Sequence, residues 1–497
     1  MNDKETLRGI RRGIEKESLR ALPAGDLALT PHPAALGAAL THPHITTDYS
    51  ESQLELITGV HAGVDACLQE LTEIHQAVYR ALADERLWVG SMPCGLPTDE
   101  TIPIGRYGSS NVGRAKSVYR MGLGQRYGRR MQTISGIHYN WSLPGVGTEG
   151  YLATIRNFRR EGWLLLYLFG ASPALCDNFV ADREHGLERL SAHTLYLPHA
   201  TSLRMGRLGY QSDAQASIAV SYNCLDSYAA SLQGALSTPY PAYEAIGVQT
   251  PGGDYNQLST SLLQIENEFY STIRAKRVIR SGERPLHALR ERGVEYIEVR
   301  LMDLDPFEPV GIGADTIRVL DAFLLHCLNT ESPDDTPAEI ATNARNQHRV
   351  AARGREPGLM LEHWQGGERR LSDWAAEIVQ SCRREAQALD EAHGGSAYLD
   401  ALERVAERLQ RPELCPSARM LAAMQQGFGS SYVGFIRHQS DLARNTILAL
   451  PFPEALQRHF EKLAATSLAE QARIEAADTM DFETFRRHYV APERMMV

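Results

Sequence analysis

No apolar run in this 497-residue chain approaches the ~20 residues that a bilayer-spanning helix needs. The run Trp163-Leu164-Leu165-Leu166-Tyr167-Leu168-Phe169 is far too short, and the start, Met1-Asn2-Asp3-Lys4-Glu5-Thr6, lacks the apolar stretch of a secretory leader. No membrane role is expected. An excess of positive charge is also missing: 51 basic residues stand against 61 acidic ones, a net charge of -10. That balance argues against a surface built to neutralise nucleic-acid phosphates and leaves small molecules as the expected partners. The seven cysteines (Cys67, Cys94, Cys176, Cys224, Cys327, Cys382 and Cys415) contain no Cys-x-x-Cys pair. Their odd number and scatter predict free thiols in a reducing, cytoplasmic setting, with Cys94 as a buried structural thiol. The pattern G-x-x-x-x-G-K-[ST] is absent, so a P-loop is excluded and any ATP must be held in another way. There is no Gly/Ser-rich or Pro-rich linker, no internal repeat and no low-complexity segment. A hydrophobic content of 43% allows a large core, in one big domain or two to three smaller ones.

What is present is a recurring strand pattern. In Tyr296-Ile297-Glu298-Val299-Arg300, same-face neighbours of an extended strand lie ~6.5 Å apart, so Tyr296, Glu298 and Arg300 share a face opposite Ile297, Val299 and Leu301. Alone, that is either a half-exposed ion pair or a metal-phosphate site in which a carboxylate holds a cation and an Arg meets growing negative charge. The segment 9–19 sets Glu15 and Glu17 opposite Ile10 and Ile14, with Lys16 out of place on the apolar side. Over 45–58, Glu51, Gln53 and Glu55 alternate with Leu54 and Leu56, and Asp48 sits where serines loosen the strand. Over 136–143, His138, Asn140 and Ser142 oppose Ile137, Tyr139, Trp141 and Leu143. Four such strands imply one sheet with an apolar back and a reactive polar front. Glu15, Glu17, Asp48, Glu51, Glu55 and Glu298 are hard oxygen donors, joined by the one imidazole of His138. That set favours Mg²⁺ or Mn²⁺ over Zn²⁺.

The remainder divides coarsely. Residues 1–310 read as a sheet-rich core and 311–497 as a mainly helical part packed on it, within one catalytic unit. Val64, Leu68, Leu71, Ile74, Val78 and Leu82 predict an amphipathic helix over 63–84. A second helix is expected from Tyr151 to Phe169, stopped by Gly170-Ala171-Ser172-Pro173. After Pro309 the stripes Ile317, Leu320, Phe323 and Leu371, Trp374, Ile378, Cys382 are helical, with a turn at Gly394-Gly395. The Gly- and Arg-rich stretch 106–130 reads as loops over the front face, and Leu262 to Tyr270 as strand-like. Basic clusters such as Arg274, Lys276 and Arg277 are suited to phosphates or carboxylates.

The blocks Arg12-Gly13-Ile14-Glu15-Lys16-Glu17, Ile45-Thr46-Thr47-Asp48, Leu54-Glu55-Leu56-Ile57-Thr58, Met131 to Asn140, Tyr196 to Arg204 and Tyr296 to Arg300 resemble, in order, those of the proteobacterial type of glutamate-cysteine ligase. The likeness is dense from Arg8 to Pro309 and thinner through Ile474 to Thr479. It implies an α+β fold with a glutamine-synthetase-like, largely antiparallel curved sheet, backed and flanked by helices. It further implies ATP, magnesium, and ligation of L-glutamate to L-cysteine through a γ-glutamyl phosphate, with glutathione as a possible feedback inhibitor. By the same resemblance Glu15, Glu17, Asp48, Glu55, His138 and Glu298 are metal ligands, Glu51 being a weaker candidate, and Arg300 stabilises the phosphoryl group. Arg120 and Arg204 are carried over as clamps for substrate α-carboxylates. Tyr119, Leu123, Gln132, Tyr210 and Tyr270 surround the cysteine side chain, and Arg274, Lys276 and Arg277 meet ATP. Another carboxylate-amine ligase, or a cation- or nucleotide-binding module without turnover, are the alternative readings.

Overall fold

The period-two segments become strands of one sheet. In the computed structural model, which describes residues 3–181, 183–209, 213–215, 218–280 and 283–491, the first strands are β1 (Arg11–Ala21), β2 (Ile45–Thr47), β3 (Gln53–Ile57), β4 (Arg86–Leu87) and β5 (Ile137–Ser142). Three short strands, β6 (Ala174–Cys176), β7 (Glu188–Ser191) and β8 (Thr194–Tyr196), form a separate small sheet. Strands β9 (Ile273–Lys276) and β10 (Tyr296–Met302) complete the main one, ordered β2-β3-β1-β5-β10-β9, with β4 on the end of β1. All its pairs are antiparallel. A hairpin of β11 (Met360–Glu362) and β12 (Glu368–Arg370) lies apart, in the helical region.

Register aligns the polar front. Glu15 lies opposite His138, Glu17 opposite Glu55, and Glu298 between Asn140 on β5 and Arg274 on β9. The back is Ile14, Leu54, Leu56, Ile137, Tyr139, Trp141, Ile297, Val299 and Leu301, each at most 2% exposed. Burying an aliphatic side chain of this size contributes up to ~1.5–3 kcal/mol, so the back anchors the front. The helix Val64–Ala81 packs Cys67, Leu71, Ile74 and Val78 into that core, as its spacing predicts. Lys16, the residue out of pattern on β1, meets His75 Nε2 of this helix at 2.9 Å. Burial lowers the Lys16 ammonium to about 7, and burial and then Lys16 hold the imidazole well below its ordinary range. A neutral amine beside a neutral imidazole can therefore sit where a charge would not.

The helix Ala314–Asn329 also lies behind the sheet. Its Asp321 accepts from the Arg12 guanidinium at 2.8 Å and from the Tyr139 hydroxyl at 2.7 Å, both charged groups being fully buried. Tyr398, from the helix Ala397–Gln410, reaches the same carboxylate at 3.3 Å. The hydrophobic core runs from Leu7 to Ile447 without respecting residue 310.

Four expectations are corrected. The 45–58 segment is a hairpin, β2 and β3, because Asp48 to Ser52 turn the chain back on itself. The 151–169 helix is two helices, Thr148–Glu161 and Trp163–Phe169, meeting at Gly162, where a Cβ would stand 2.7 Å from the Phe158 carbonyl. Within 106–130 lies the helix Asn111–Tyr127, capped by Ser110. Its glycines serve close approach rather than looping: a Cβ on Gly122 would collide with Gln264 at 2.2 Å. Leu262 to Tyr270 is irregular with one helical turn, Glu266–Glu268, because both glutamates are drawn into buried ion pairs with Arg284 and Arg126. The cysteine reading also changes: Cys94 and Cys176 form a disulfide, while the other five remain free thiols.

Candidate active site

Three strands meet at one cluster of side chains able to ligate a metal ion. The nearest ligand atoms of Glu15 (β1), His138 (β5) and Glu298 (β10) all lie within 4.8 Å of one another. Glu15 Oε2 is 3.1 Å from His138 Nδ1, and its Oε1 accepts from Asn140 Nδ2 at 2.9 Å. His138 Nε2 stands 3.5 Å from Glu17 Oε1, while Glu17 Oε2 accepts from the Gly136 amide at 2.7 Å. Glu298 is flanked by two cations, Lys276 Nζ at 3.1 Å and the Arg300 guanidinium at 3.1 Å. The cluster opens into a cavity of about 190 Å³, which Asp48 and Glu55 line from the β2–β3 side.

Its electrostatics divide the carboxylates. Burial raises the affinity of Glu298 for a proton, but Lys276, Arg300 and His138 outweigh it and hold the group well below the usual carboxylate range. Glu15 is likewise lowered, against burial and the neighbouring Glu298, by its bond to His138 and the charge of Lys276. Glu17 is pushed up by burial and then by Asp48, and Glu55 well up by burial and then by Glu15, Asp48 and Glu17. Burial and mutual repulsion thus favour a proton on Glu17 and Glu55, and a cation among these groups would relieve the same repulsion. Clustered hard oxygen donors with one imidazole fit a divalent magnesium or manganese ion.

Another part of the cavity wall comes from the helix Asn111–Tyr127, which supplies Tyr119, Arg120 and Leu123, and from Gln132 and Tyr270. Gln132 Nε2 donates to the Tyr270 hydroxyl at 2.8 Å. Arg120 donates to the Asp48 carbonyl and lies 4.5 Å over the Tyr107 ring. On β9, alternation turns Arg274 and Lys276 to the front, and Arg274 also donates to the Asn267 carbonyl at 2.8 Å.

Three expected site residues lie elsewhere. Arg204 is buried, donating to the Arg300 carbonyl at 3.0 Å and standing 3.7 Å from Asp303. Gly136 makes room for it, since a Cβ there would lie 2.0 Å from the guanidinium. Arg277 follows the front-facing Lys276 and donates instead to the carbonyls of Arg292 at 2.6 Å and Gly293 at 3.1 Å. Glu51 sits in the β2–β3 turn, where it accepts from the His32 and Arg106 amides. Tyr210 lies outside the described residues.

Sequence reasoning missed Tyr49, Asn267 and Glu268, which line the cavity, and the hold of Asn140 on Glu15. The polar alternation 138, 140, 142 was a usable signal for Asn140, but nothing in sequence brings 267 and 268 beside 119–123. Glu283, His287 and Glu291 also bring ligand atoms within 4.8 Å, on and beside the helix Pro285–Arg292. Those two carboxylates are already paired with two guanidinium groups, Arg292 with both and Arg280 with Glu291, so the group does not compete for a cation.

Comparison with known proteins points to one family. The family model described as glutamate-cysteine ligase matches residues 1–350. The glutamate-cysteine ligase of Alcanivorax borkumensis is 48% identical, over 97% of this chain and 96% of its own. That of Azotobacter vinelandii is 49% identical, over 98% and 95%. A crystal structure of the Francisella tularensis glutamate-cysteine ligase in complex with AMP superposes with a TM-score of 0.93 at 35% identity, covering 98% of each chain. A bifunctional glutathione synthetase from Pasteurella multocida shares the fold, with a TM-score of 0.72 at 24% identity, over 93% of this chain and 57% of its own.

Proposed function

The chain belongs to the glutamate-cysteine ligase family, and from that premise we propose how its own residues carry the reaction. It joins the γ-carboxyl of L-glutamate to the amine of L-cysteine with ATP, giving γ-glutamylcysteine, ADP and phosphate, the first step of glutathione biosynthesis. A carboxylate is a poor electrophile, so the γ-carboxylate first takes the γ-phosphoryl group and the amine of cysteine then displaces phosphate. Two anions must be brought together. Lys276 and Arg300, on either side of Glu298, offer fixed positive charge to the phosphoryl oxygens as they gather negative charge. Arg274, beside Lys276, serves the ATP phosphates.

Glu15, Glu17, Asp48, Glu55, His138 and Glu298 would hold magnesium, or manganese in its place. Such ions supply charge neutralisation between ATP and glutamate. Asn140 keeps Glu15 aimed at the cluster, and the Gly136 amide does the same for Glu17. Arg120 meets a substrate α-carboxylate. Tyr119, Leu123, Gln132 and Tyr270 receive the cysteine side chain. A pocket of this kind distinguishes a thiol from a methyl poorly, so 2-aminobutyrate is an alternative acceptor. Glutathione carries the γ-glutamylcysteine moiety and would compete for the same groups. The need for ATP and a reduced thiol substrate favours a cytoplasmic setting.

The observation that carries this reading is the approach of Glu15, His138 and Glu298 within 4.8 Å, with a cation on each side of Glu298. Its test is Glu298→Gln. Steady-state ADP release should fall by ~10²-fold or more, the scale of losing a preorganised charged group, with circular dichroism unchanged. A folded variant that releases ADP at the parent rate would remove Glu298 from the chemistry.

A further inference from the structure

The carboxylate of Glu268 joins the two elements that form the acceptor pocket. The helix Asn111–Tyr127 carries Tyr119, Arg120 and Leu123, and its last turn carries Arg126 and Tyr127. The 264–270 segment carries Tyr270 and has no strand or long helix to hold it. Glu268 Oε1 accepts from Arg126 at 2.8 Å and from the Tyr127 hydroxyl at 2.7 Å, and Oε2 accepts from the Gln264 amide at 2.6 Å. Glu268 and Arg126 side chains are both wholly buried. Gln215 adds a second tie: its Nε2 donates to the Tyr127 hydroxyl at 3.0 Å and to the Glu268 carbonyl at 2.9 Å, and its Oε1 accepts from the Tyr270 amide at 2.9 Å. The Tyr127 and Tyr270 rings meet edge to face at 5.5 Å.

Three donors on one buried carboxylate leave it little capacity to take a proton or grip a substrate. They give it a strong mechanical role, because a charge-assisted hydrogen bond is short and directional. The helix and the irregular segment have no strand ladder between them, so their separation is set by these bonds together with the Gln264 side chain, which packs on Gly122 and donates from Nε2 to the Tyr119 carbonyl at 3.3 Å. That separation sets the width of the space between Leu123 and Tyr270.

We propose that Glu268, held by Arg126 and Tyr127, is a positioning residue that fixes the width of the acceptor pocket and so selects a cysteine-sized amine. The proposal rests on the reading of Tyr119, Leu123, Gln132 and Tyr270 as the acceptor pocket. It concerns the second half-reaction alone. Formation of the γ-glutamyl phosphate on the far side of the cavity, by Glu15, Glu298, Lys276 and Arg300, does not depend on it.

The test compares Glu268→Gln, Tyr127→Phe and Tyr270→Ala with the parent protein, using two nucleophiles. Cysteine needs the pocket. Hydroxylamine, small enough to reach the acyl phosphate without it, reports the first half-reaction as γ-glutamyl hydroxamate. Glu268→Gln keeps the side-chain size but turns one accepting oxygen into a donor facing a donor. It should raise the KM for cysteine about tenfold or more, the scale of a lost packing fit. The preference for cysteine over larger amines should weaken, while hydroxamate formation and the KM values for ATP and glutamate stay within about twofold of the parent. Tyr127→Phe, which removes one donor and keeps the ring, should move the same quantities less far, and it carries the test if Glu268→Gln fails to fold. An unchanged KM for cysteine in folded variants overturns the proposal. So does equal loss with cysteine and hydroxylamine at unchanged KM, which would make Glu268 part of the chemistry. If Tyr270→Ala also leaves the KM for cysteine unchanged, the acceptor-pocket reading fails as well; if it raises that KM and the Glu268 and Tyr127 variants do not, only the positioning role fails.

Discussion

At the scale of the residue, two side chains of β1 with adjacent numbers have opposite fates. Glu15 faces the reactive front and Lys16 faces the core, where its partner is His75. The free amine has an ordinary pKa of 10.5, and burial lowers it in the folded chain to about 7. Between those values the unfolded chain binds the extra proton, so this group makes stability rise with pH from 7 toward 10.5. Lys16→Met should therefore stabilise the protein most near pH 7, and its advantage over the parent should shrink by ~1.4 kcal/mol per pH unit above that. Denaturant unfolding of both proteins at pH 7, 8 and 9 checks this. A pH-independent difference would mean that Lys16 stays charged in the fold. Front-face donors were legible in the sequence because alternation assigns a face without any tertiary information. Arg204 and Arg277 were not, since an Arg offers no sign of whether its guanidinium reaches a ligand or a backbone carbonyl.

At the scale of the element, the least legible piece is the helix Asn111–Tyr127. Its glycines argue for a loop by propensity, yet tertiary contact decides otherwise, with Gly113 and Gly122 packed where no side chain fits. The beginning of this helix is held by the far end of the chain. The Ser109 amide donates to Glu475 Oε1 at 2.7 Å, the Asn111 amide donates to Asp478, and Asn111 Nδ2 donates to the Met480 carbonyl at 2.8 Å. Carboxylates there satisfy amides that the helix cannot, and they complement its dipole. Asp478→Ala should remove ~1 kcal/mol of local stability. Hydrogen exchange should speed up at residues 111–114 and stay unchanged in β1 and β5. Uniform exchange across the helix in both proteins would contradict this cap. Strands β1, β5 and β10 and the helix Val64–Ala81 were readable from spacing alone, whereas the break at Gly162 and the β2–β3 hairpin depended on contacts that spacing does not record.

At the scale of the whole molecule, residues on both sides of 310 build the support for the catalytic face. We propose that the chain is one catalytic unit in which the helical part, 311–497, is required for the core, 1–310, to fold. Arg12 is the second residue of β1, the strand that carries Glu15 and Glu17, and its buried charge is matched by Asp321. Removing one partner of a buried pair costs ~3–5 kcal/mol, before counting the apolar surface of Ile317, Leu320 and Phe323. A fragment ending at residue 310 should be insoluble or unfolded by circular dichroism. A fragment that melts cooperatively would show that the core stands alone. The sheet, its polar face and the chemistry of its donors were legible across the whole chain, while the mutual support of its two parts was not, because that depends on pairs such as Arg12 and Asp321 that lie 309 residues apart.

If the acidic front activates the γ-carboxylate of glutamate as an acyl phosphate, an oxygen of that carboxylate leaves with the phosphate. The direct measurement is oxygen transfer. Glutamate labelled with ¹⁸O in its γ-carboxylate is supplied with ATP, cysteine and magnesium, and the released phosphate is weighed by mass spectrometry. Each phosphate should carry a single labelled oxygen, formed in step with γ-glutamylcysteine. Unlabelled phosphate accompanying the same product would contradict it.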